Sequence, residues 1–426
     1  MIQKDSSKSI PFTSYQILVI AIIALLQFTV VLDFMILSPL GDFLMKSLDI
    51  NPSRFGMVVS AYAFSAGISG LLAAGFADRF DRKKILVFFY TGFIVGTFFC
   101  AIANNFWSLL AARIVTGLFG GVIGAVSMAI ITDLFALNQR GRVMGIVQMG
   151  FAASQVLGIP TGLFFASRWG WHSAFFMIVI VALLLLLLMY FKMKPVDEHL
   201  KLQTKQNALE HLLGTVAKKD YRIGFLATSF LSIGGFMMMP FGSAFAINNL
   251  KIPQDKIFIL FLFTGVSSLL IMPVVGKLSD RFDKFKVFTG GSIAAIIMIL
   301  IYTNLGPTPI WQVVCLNILL FMGIMSRMIP ATTLNSAIPE MKDRGAYMSI
   351  NGSLQQMAGG VAALAAGLIV SQPTKTSPLE HYNTLGIVVS LVTIICLLLV
   401  YRVSQMIKAR IQQNEINPDQ VPAMEG

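Results

Sequence analysis

The chain has 426 residues, 56% of them hydrophobic and 12% charged, with a formal net charge of +12. Soluble domains carry about a quarter charged residues, so this composition argues against a water-soluble enzyme. Long apolar runs between short polar segments read as helices crossing a lipid bilayer. The alternating segments of roughly ten residues that mark a transmembrane barrel are absent.

In chain order, twelve apolar segments are long enough to cross: 15–40, 53–77, 84–104, 106–132, 142–167, 171–191, 222–248, 256–279, 286–304, 309–336, 345–371 and 383–401. Each is near or above the roughly 20 residues that a spanning helix needs. They are called spans 1 to 12. Mostly polar residues precede a first span too long for a signal h-region, so no cleavable leader is expected. The chain ends and the loops after even-numbered spans hold 24 of the 32 Lys and Arg, the opposite loops hold six, and Arg113 and Arg327 lie within spans. Cytoplasmic loops collect Lys and Arg, so both termini are expected in the cytoplasm. The same asymmetry accounts for much of the positive charge without nucleic acid. Cys100, Cys315 and Cys396 all lie in apolar runs, so neither a disulfide framework nor a metal cluster is expected. No phosphate-binding Gly-Lys-Ser/Thr loop is present, so neither ATP-driven pumping nor a cofactor is supported.

The longest interior polar stretch lies midway along the chain. It divides the sequence into an N-terminal six-helix half at 1–192, a cytoplasmic linker at 193–220, a C-terminal six-helix half at 221–408 and a cytoplasmic tail at 409–426. The halves echo each other. Asp78-Arg79-Phe80-Asp81-Arg82-Lys83-Lys84 follows span 2, and Asp280-Arg281-Phe282-Asp283-Lys284-Phe285-Lys286 follows span 8, an offset of 202. Arg140-Gly141 and Met144 are matched by Arg344-Gly345 and Met348 at an offset of 204. Two matches at nearly one offset argue for duplication.

Twelve spans in two halves with this repeated loop resemble the major facilitator superfamily over nearly the whole chain. That family's loop motif is Gly-x-x-x-Asp-Arg-x-Gly-Arg-Lys/Arg. The first copy here has Ala74 and Asp81 at the two Gly positions; the second keeps Gly276 and has Asp283. Two further elements are similar to the drug:proton antiporter branch. Span 4 carries Arg113-Ile-Val-Thr-Gly117, and span 5 carries Gly158-Ile159-Pro160-Thr161-Gly162, with Ile159 where that branch has Gly. This variant is also similar to exporters of sugars and nucleosides. The resemblance implies an all-α membrane protein with two pseudo-symmetric six-helix halves. It further implies a monomer in a bacterial inner membrane and alternating access, with protons and a small-molecule substrate as partners. Efflux is the favoured direction. An importer, a uniporter, or a receptor or lipid-handling protein on the same fold stays open, because fold does not settle function. Asp78, Arg79 and Arg82, with Asp280 and Arg281 in the second copy, resemble the family's cytoplasmic latch.

An ionisable group deep in a span is expensive and is by default a functional hypothesis. Asp33 sits deep in span 1 among Val31, Leu32, Phe34 and Met35. At 1.5 Å per residue, Asp33 and Arg113 both lie roughly 10 Å from the outer surface. Matched depth makes them candidates for a proton-coupling pair; a fixed ion pair holding spans 1 and 4 in register is the alternative. Arg327 in span 10 has no acidic residue within a span of its half. It either contacts substrate or snorkels toward the cytoplasm. Gln148 and Gln155 in span 5, and Asn351 and Gln355 in span 11, share helix faces and are candidates for binding a solute without fixing its charge. Amides also serve as interhelical glue. Gln27 and Tyr62 are weaker candidates, and Met239 and Phe241 in span 7 offer an adaptable apolar wall. Gly117 with Gly121, and Gly120 with Gly124, predict close helix approach in span 4,. Gly158 and Pro160 predict a weakened span 5.

Overall fold

The computed structural model describes residues 12–198, 200, 208–340 and 343–416, and their side chains except at 74, 75, 78, 137, 138, 208–211, 213, 411 and 413–416. Among the described residues the chain is helical and forms no sheet, its single β-bridge joining Ser371 to Glu380. Twelve helices are long and apolar enough to cross a membrane: Ser14–Ile36, Pro52–Ala73, Arg82–Ala101, Phe106–Leu134, Gln139–Trp169, His172–Lys192, Lys219–Asn248, Gln254–Arg281, Lys284–Thr303, Ile310–Ser336, Arg344–Ile369 and Tyr382–Arg410. These are spans 1 to 12 in the order expected.

Three spans differ from simple rods, each for a readable reason. Span 1 stops at Ile36, and after the turn at Pro39 the chain enters a short helix, Gly41–Leu48. Span 7 is helical over Lys219–Phe236, tightens to a 3-10 turn at Met239–Phe241 and resumes as Gly242–Asn248. Pro240 has no N–H to donate to the preceding turn. In span 5 the ladder widens to a π segment at Ser154–Gly158, with the Ile159 N–H donating to the Ser154 carbonyl five residues back. Pro160 follows at once, and its missing donor accounts for the local shift. A helix at Ala208–Ala217 lies in the linker region.

The face carrying the linker and the start of span 1 is called the linker face, and the opposite one the far face. Apolar packing differs between them. On the far face one core joins both halves, running from Leu32, Ile36, Leu44 and Phe55 through Phe241 and Phe245 to Ala363 and Leu385. Toward the linker face this core divides. Ile23, Leu86, Ile130 and Leu185 belong to a core of the first half, and Tyr221, Phe288, Tyr347 and Cys396 belong to one of the second. Burial of apolar area is the main force closing a helix interface in water, and within the bilayer tight packing takes its place. The halves therefore share a buried core at the far face, while spans 2 and 11 stay in contact further toward the linker face, where Gly67 meets Met357 and Leu71 packs on the second-half core.

Small residues set the closest approaches. A Cβ on Gly117 or Gly121 of span 4 would lie 2.1 Å from Ser65 Oγ or 2.2 Å from the Ala66 carbonyl of span 2, while one on Gly124 would meet nothing within 4 Å. Between the halves, Gly56 of span 2 rests on the Ala363 carbonyl of span 11, and Gly265 of span 8 rests on the Gln155 carbonyl of span 5.

Candidate functional site

Asp33 and Arg113 meet in the first half, both with 0% exposure. Arg113 Nη1 donates to Asp33 Oδ2 at 2.7 Å. Thr97 Oγ1 of span 3 lies 3.1 Å from Asp33 Oδ1 and 2.9 Å from the Phe93 carbonyl. The Tyr62 ring of span 2 lies under the guanidinium, 4.4 Å from its centroid. Four spans thus converge on one buried charge pair. Such a pair sits in low dielectric, where its attraction is large and so is the cost of separating it. Arg113 Nε is buried without a hydrogen-bond partner.

The other expected residues scatter. Gln27 is half-buried in span 1, and Gln148 is exposed while Gln155 is buried, so the two glutamines of span 5 do not share surroundings. Gln155 lies in the π segment, its Nε2 3.7 Å from Met35 Sδ and its Oε1 accepting from Ser268 Oγ of span 8 at 3.5 Å. Met239 lines a small far-face cavity with Phe34, Ser38, Val59, Ala63 and Phe236. Phe241 is fully buried against Phe55, ring centroids 5.9 Å apart, within the far-face core. Asn351 accepts from Asn335 at 3.0 Å, and Gln355 is half-buried. Arg327 is buried at 2% exposure in the second half, with the Cys396 thiol beside it.

Of the latch residues, the Asp78 side chain lies outside the described residues. Arg79, Asp280 and Arg281 are exposed. Arg82 is buried and pairs with Asp133 of span 4 at 3.1 Å. The two residues that replace the family's second glycine have a local purpose. Asp81 accepts from the Lys83 N–H and Asp283 from the Lys286 N–H, so each caps the helix that follows,. Lys408 also sits 2.8 Å from Asp283, and its hydrogen bond holds that carboxyl below the ordinary range.

Sequence reasoning missed two polar clusters. On the far face, Asp42 is buried and accepts from Asn248 Nδ2 at 2.6 Å and from Lys46 Nζ at 2.8 Å, and Ser243 Oγ donates to the Ser38 carbonyl at 3.1 Å. The Asn248 and Ser243 bonds join the halves. Asp49 and Lys375 pair beside them at 3.0 Å. The signal was present: Pro39-Leu40-Gly41 and Pro240-Phe241-Gly242 repeat at an offset of 201, marking the two short helices as counterparts. In the second half, Asn335 bonds Thr228, Asn351 and Tyr347. Nothing in the spacing of those residues announces the cluster. Among the described residues no group of three or more His, Cys, Asp or Glu could hold a metal ion.

Residues 23–341 match the Major Facilitator Superfamily profile. The chain belongs to the major facilitator superfamily. Its family and fold are those of transporters, and it is a multi-pass membrane protein. Among its relatives is the uncharacterized MFS-type transporter YceJ of Bacillus subtilis, 27% identical over 63% of this chain and 68% of that protein. Another is the vacuolar membrane amino acid uptake transporter fnx2 of Schizosaccharomyces pombe, 31% identical over 36% of this chain; the match spans only 27% of that protein's length. A solved bacterial homolog of the human lysosomal transporter Spinster, in an inward-facing and unoccupied conformation, superposes with a TM-score of 0.72 at 15% identity, covering 94% of this chain and 99% of that one. That likeness concerns the fold.

Proposed function

We propose that this superfamily member is a proton-coupled antiporter that moves a small organic solute out of a bacterial cell across the inner membrane. Its halves, 1–192 and 221–408, rock about a central site, with the linker at 193–220, the tail at 409–426 and both termini in the cytoplasm. The linker face is then the cytoplasmic one, and a far face closed by a shared core describes an inward-facing transporter.

The observation that carries the reading is the fully buried Asp33–Arg113 pair held between spans 1 and 4. Burial favours a neutral acid, and a nearby guanidinium favours the carboxylate. A group held between these opposing influences changes its proton affinity when either the distance to the cation or access to water changes. Rocking alters both. Asp33 takes a proton when the far face opens and releases it toward the cytoplasm. Arg113 sets the affinity, and Thr97 and Tyr62 hold the pair in place. The span 5 element around Gly158, Pro160 and Gly162 supports efflux through its similarity to the antiporter motif. Gln27, Gln148, Gln155, Met239, Asn351 and Gln355 are the candidate solute contacts, and Asp78, Arg79 and Arg82 the latch that closes the cytoplasmic side in the outward-facing state.

The test is proton release from purified full-length protein in detergent as candidate solutes are added, wild type beside Asp33→Asn. A solute that displaces protons from the wild type and binds the variant without doing so is the expected result. Solute binding without proton release from the wild type makes the protein a uniporter and returns Asp33 to a structural role.

A further inference from the structure

The second half contains a buried arginine that no described Asp or Glu reaches; the Cys396 thiol is the titratable group beside it. Arg327 is 2% exposed, and its Nε and Nη2 are buried without hydrogen-bond partners. The acidic residues described in that half, Asp220, Asp255, Asp280, Asp283, Glu340, Asp343 and Glu380, lie in loops or at the ends of spans. An unpaired guanidinium at this depth is costly to keep. Nε and Nη2 form one edge of the guanidinium, with two parallel N–H donors that match the two oxygens of a carboxylate.

A third unpartnered group converges on the same place. Thr393 Oγ1 of span 12 is buried with no hydrogen-bond partner. A Cβ added to Gly234 of span 7 would lie 3.4 Å from Arg327 Nη2, 3.5 Å from Thr393 Oγ1 and 3.6 Å from Val392 Cγ1. That is ordinary van der Waals contact, so a side chain at this position would project between two polar groups. The repeat gives this position a meaning. The offset of 201 that aligns Pro39 with Pro240 and Gly41 with Gly242 also aligns Asp33 with Gly234. The first half therefore pairs its buried arginine with an aspartate of span 1, while the counterpart of that aspartate in span 7 carries no side chain beside Arg327, which lies elsewhere in its span than Val314, the counterpart of Arg113.

We propose that Arg327 is the receptor for a carboxylate on the transported solute, which approaches beside Gly234 and takes a hydrogen bond from Thr393. The assignment rests on the reading of this protein as a transporter and names the class of its solute: an organic carboxylate. The first half carries the proton site and the second the anion site.

The test is thermal unfolding of the full-length protein in detergent. Acetate or benzoate is titrated against chloride at constant ionic strength, with benzamide as the uncharged control. Both carboxylates raise the wild-type Tm in a saturating manner and benzamide does not, because a ligand that binds only the folded state stabilises it. Arg327→Gln and Gly234→Asp both lose the response, the second because its own carboxylate occupies the place. Gly234→Asp is more stable than Gly234→Asn, the uncharged variant of equal size. A wild-type Tm indifferent to both carboxylates overturns the assignment, and so does an Arg327→Gln protein that responds like wild type. If Gly234→Asp does not fold, the Arg327→Gln comparison decides alone. Solute-driven proton release from a wild type that ignores carboxylates would sink only the anion site; a carboxylate response without proton release would sink only the antiport.

Discussion

Asp33 and Arg113 are partners whose removal is not symmetrical in cost. Deleting one member of a buried ion pair leaves the other uncompensated, which costs about 3–5 kcal/mol, whereas replacing both with apolar groups of similar volume is often close to neutral. Asp33→Asn should therefore lower the Tm of the detergent-solubilised protein markedly, and Asp33→Leu combined with Arg113→Met should recover much of the loss while remaining inactive in transport. A double variant whose loss equals the sum of the losses of Asp33→Leu and Arg113→Met alone would mean that the pair contributes nothing by being paired. A surface pair gives a contrasting pH signature. Lys408 and the Lys286 N–H hold the Asp283 carboxyl below its ordinary value. A depressed folded value means that this stabilisation is present above the unfolded pKa of about 3.9 and is lost as pH falls through the folded value. Above about pH 4, Lys408→Met should therefore lower the Tm slightly, the pair being partly exposed, and its Tm profile should converge with that of the wild type as pH falls through the folded value.

At the scale of elements, span 5 departs most from a regular helix. Its π segment places Gln155 against Ser268 and lets the Gln155 carbonyl rest on Gly265 of span 8. Proline inside a helix costs about 3 kcal/mol, and single-turn π segments recur at functional sites. Pro160→Ala restores the missing donor, so the expected outcome is a higher Tm together with slower solute flux in proteoliposomes. Unchanged flux would assign the π segment to packing alone. This irregularity was partly legible: Gly158 and Pro160 announced a weak point, but a π ladder instead of a kink depends on what span 8 presses against it. The spans themselves were legible because lipid demands long apolar helices, a constraint that composition satisfies visibly. Matched depth in spans 1 and 4 made the charge pair readable too. Surroundings supplied by distant spans were not readable. Arg327 owes its environment to Gly234 and Thr393, on spans 7 and 12, whose proximity only packing reveals.

For the whole molecule, the question is what holds the far face shut and how little it takes to open it. The shared core supplies the area, but the bonds that choose the register are few. Asp42 is buried and accepts from Asn248 across the halves, with Lys46 on its other oxygen. A hydrogen bond to a charged group contributes roughly 1.5–3 kcal/mol. An equilibrium between two conformations moves tenfold for every 1.4 kcal/mol, so loss of this one junction is enough to shift the balance between closed and open far faces by about tenfold or more. Asn248→Ala removes the donor and keeps the Asp42–Lys46 pair within its own helix. Spin labels at positions 49 and 375, which face each other across the halves at a surface ion pair, report the separation directly once the exposed Cys315 is replaced by Ser. The expected result is a longer-distance population that grows in Asn248→Ala. A distance distribution that Asn248→Ala leaves untouched would assign closure to the apolar core alone, and the rocking motion would then be controlled by packing rather than by the polar junction.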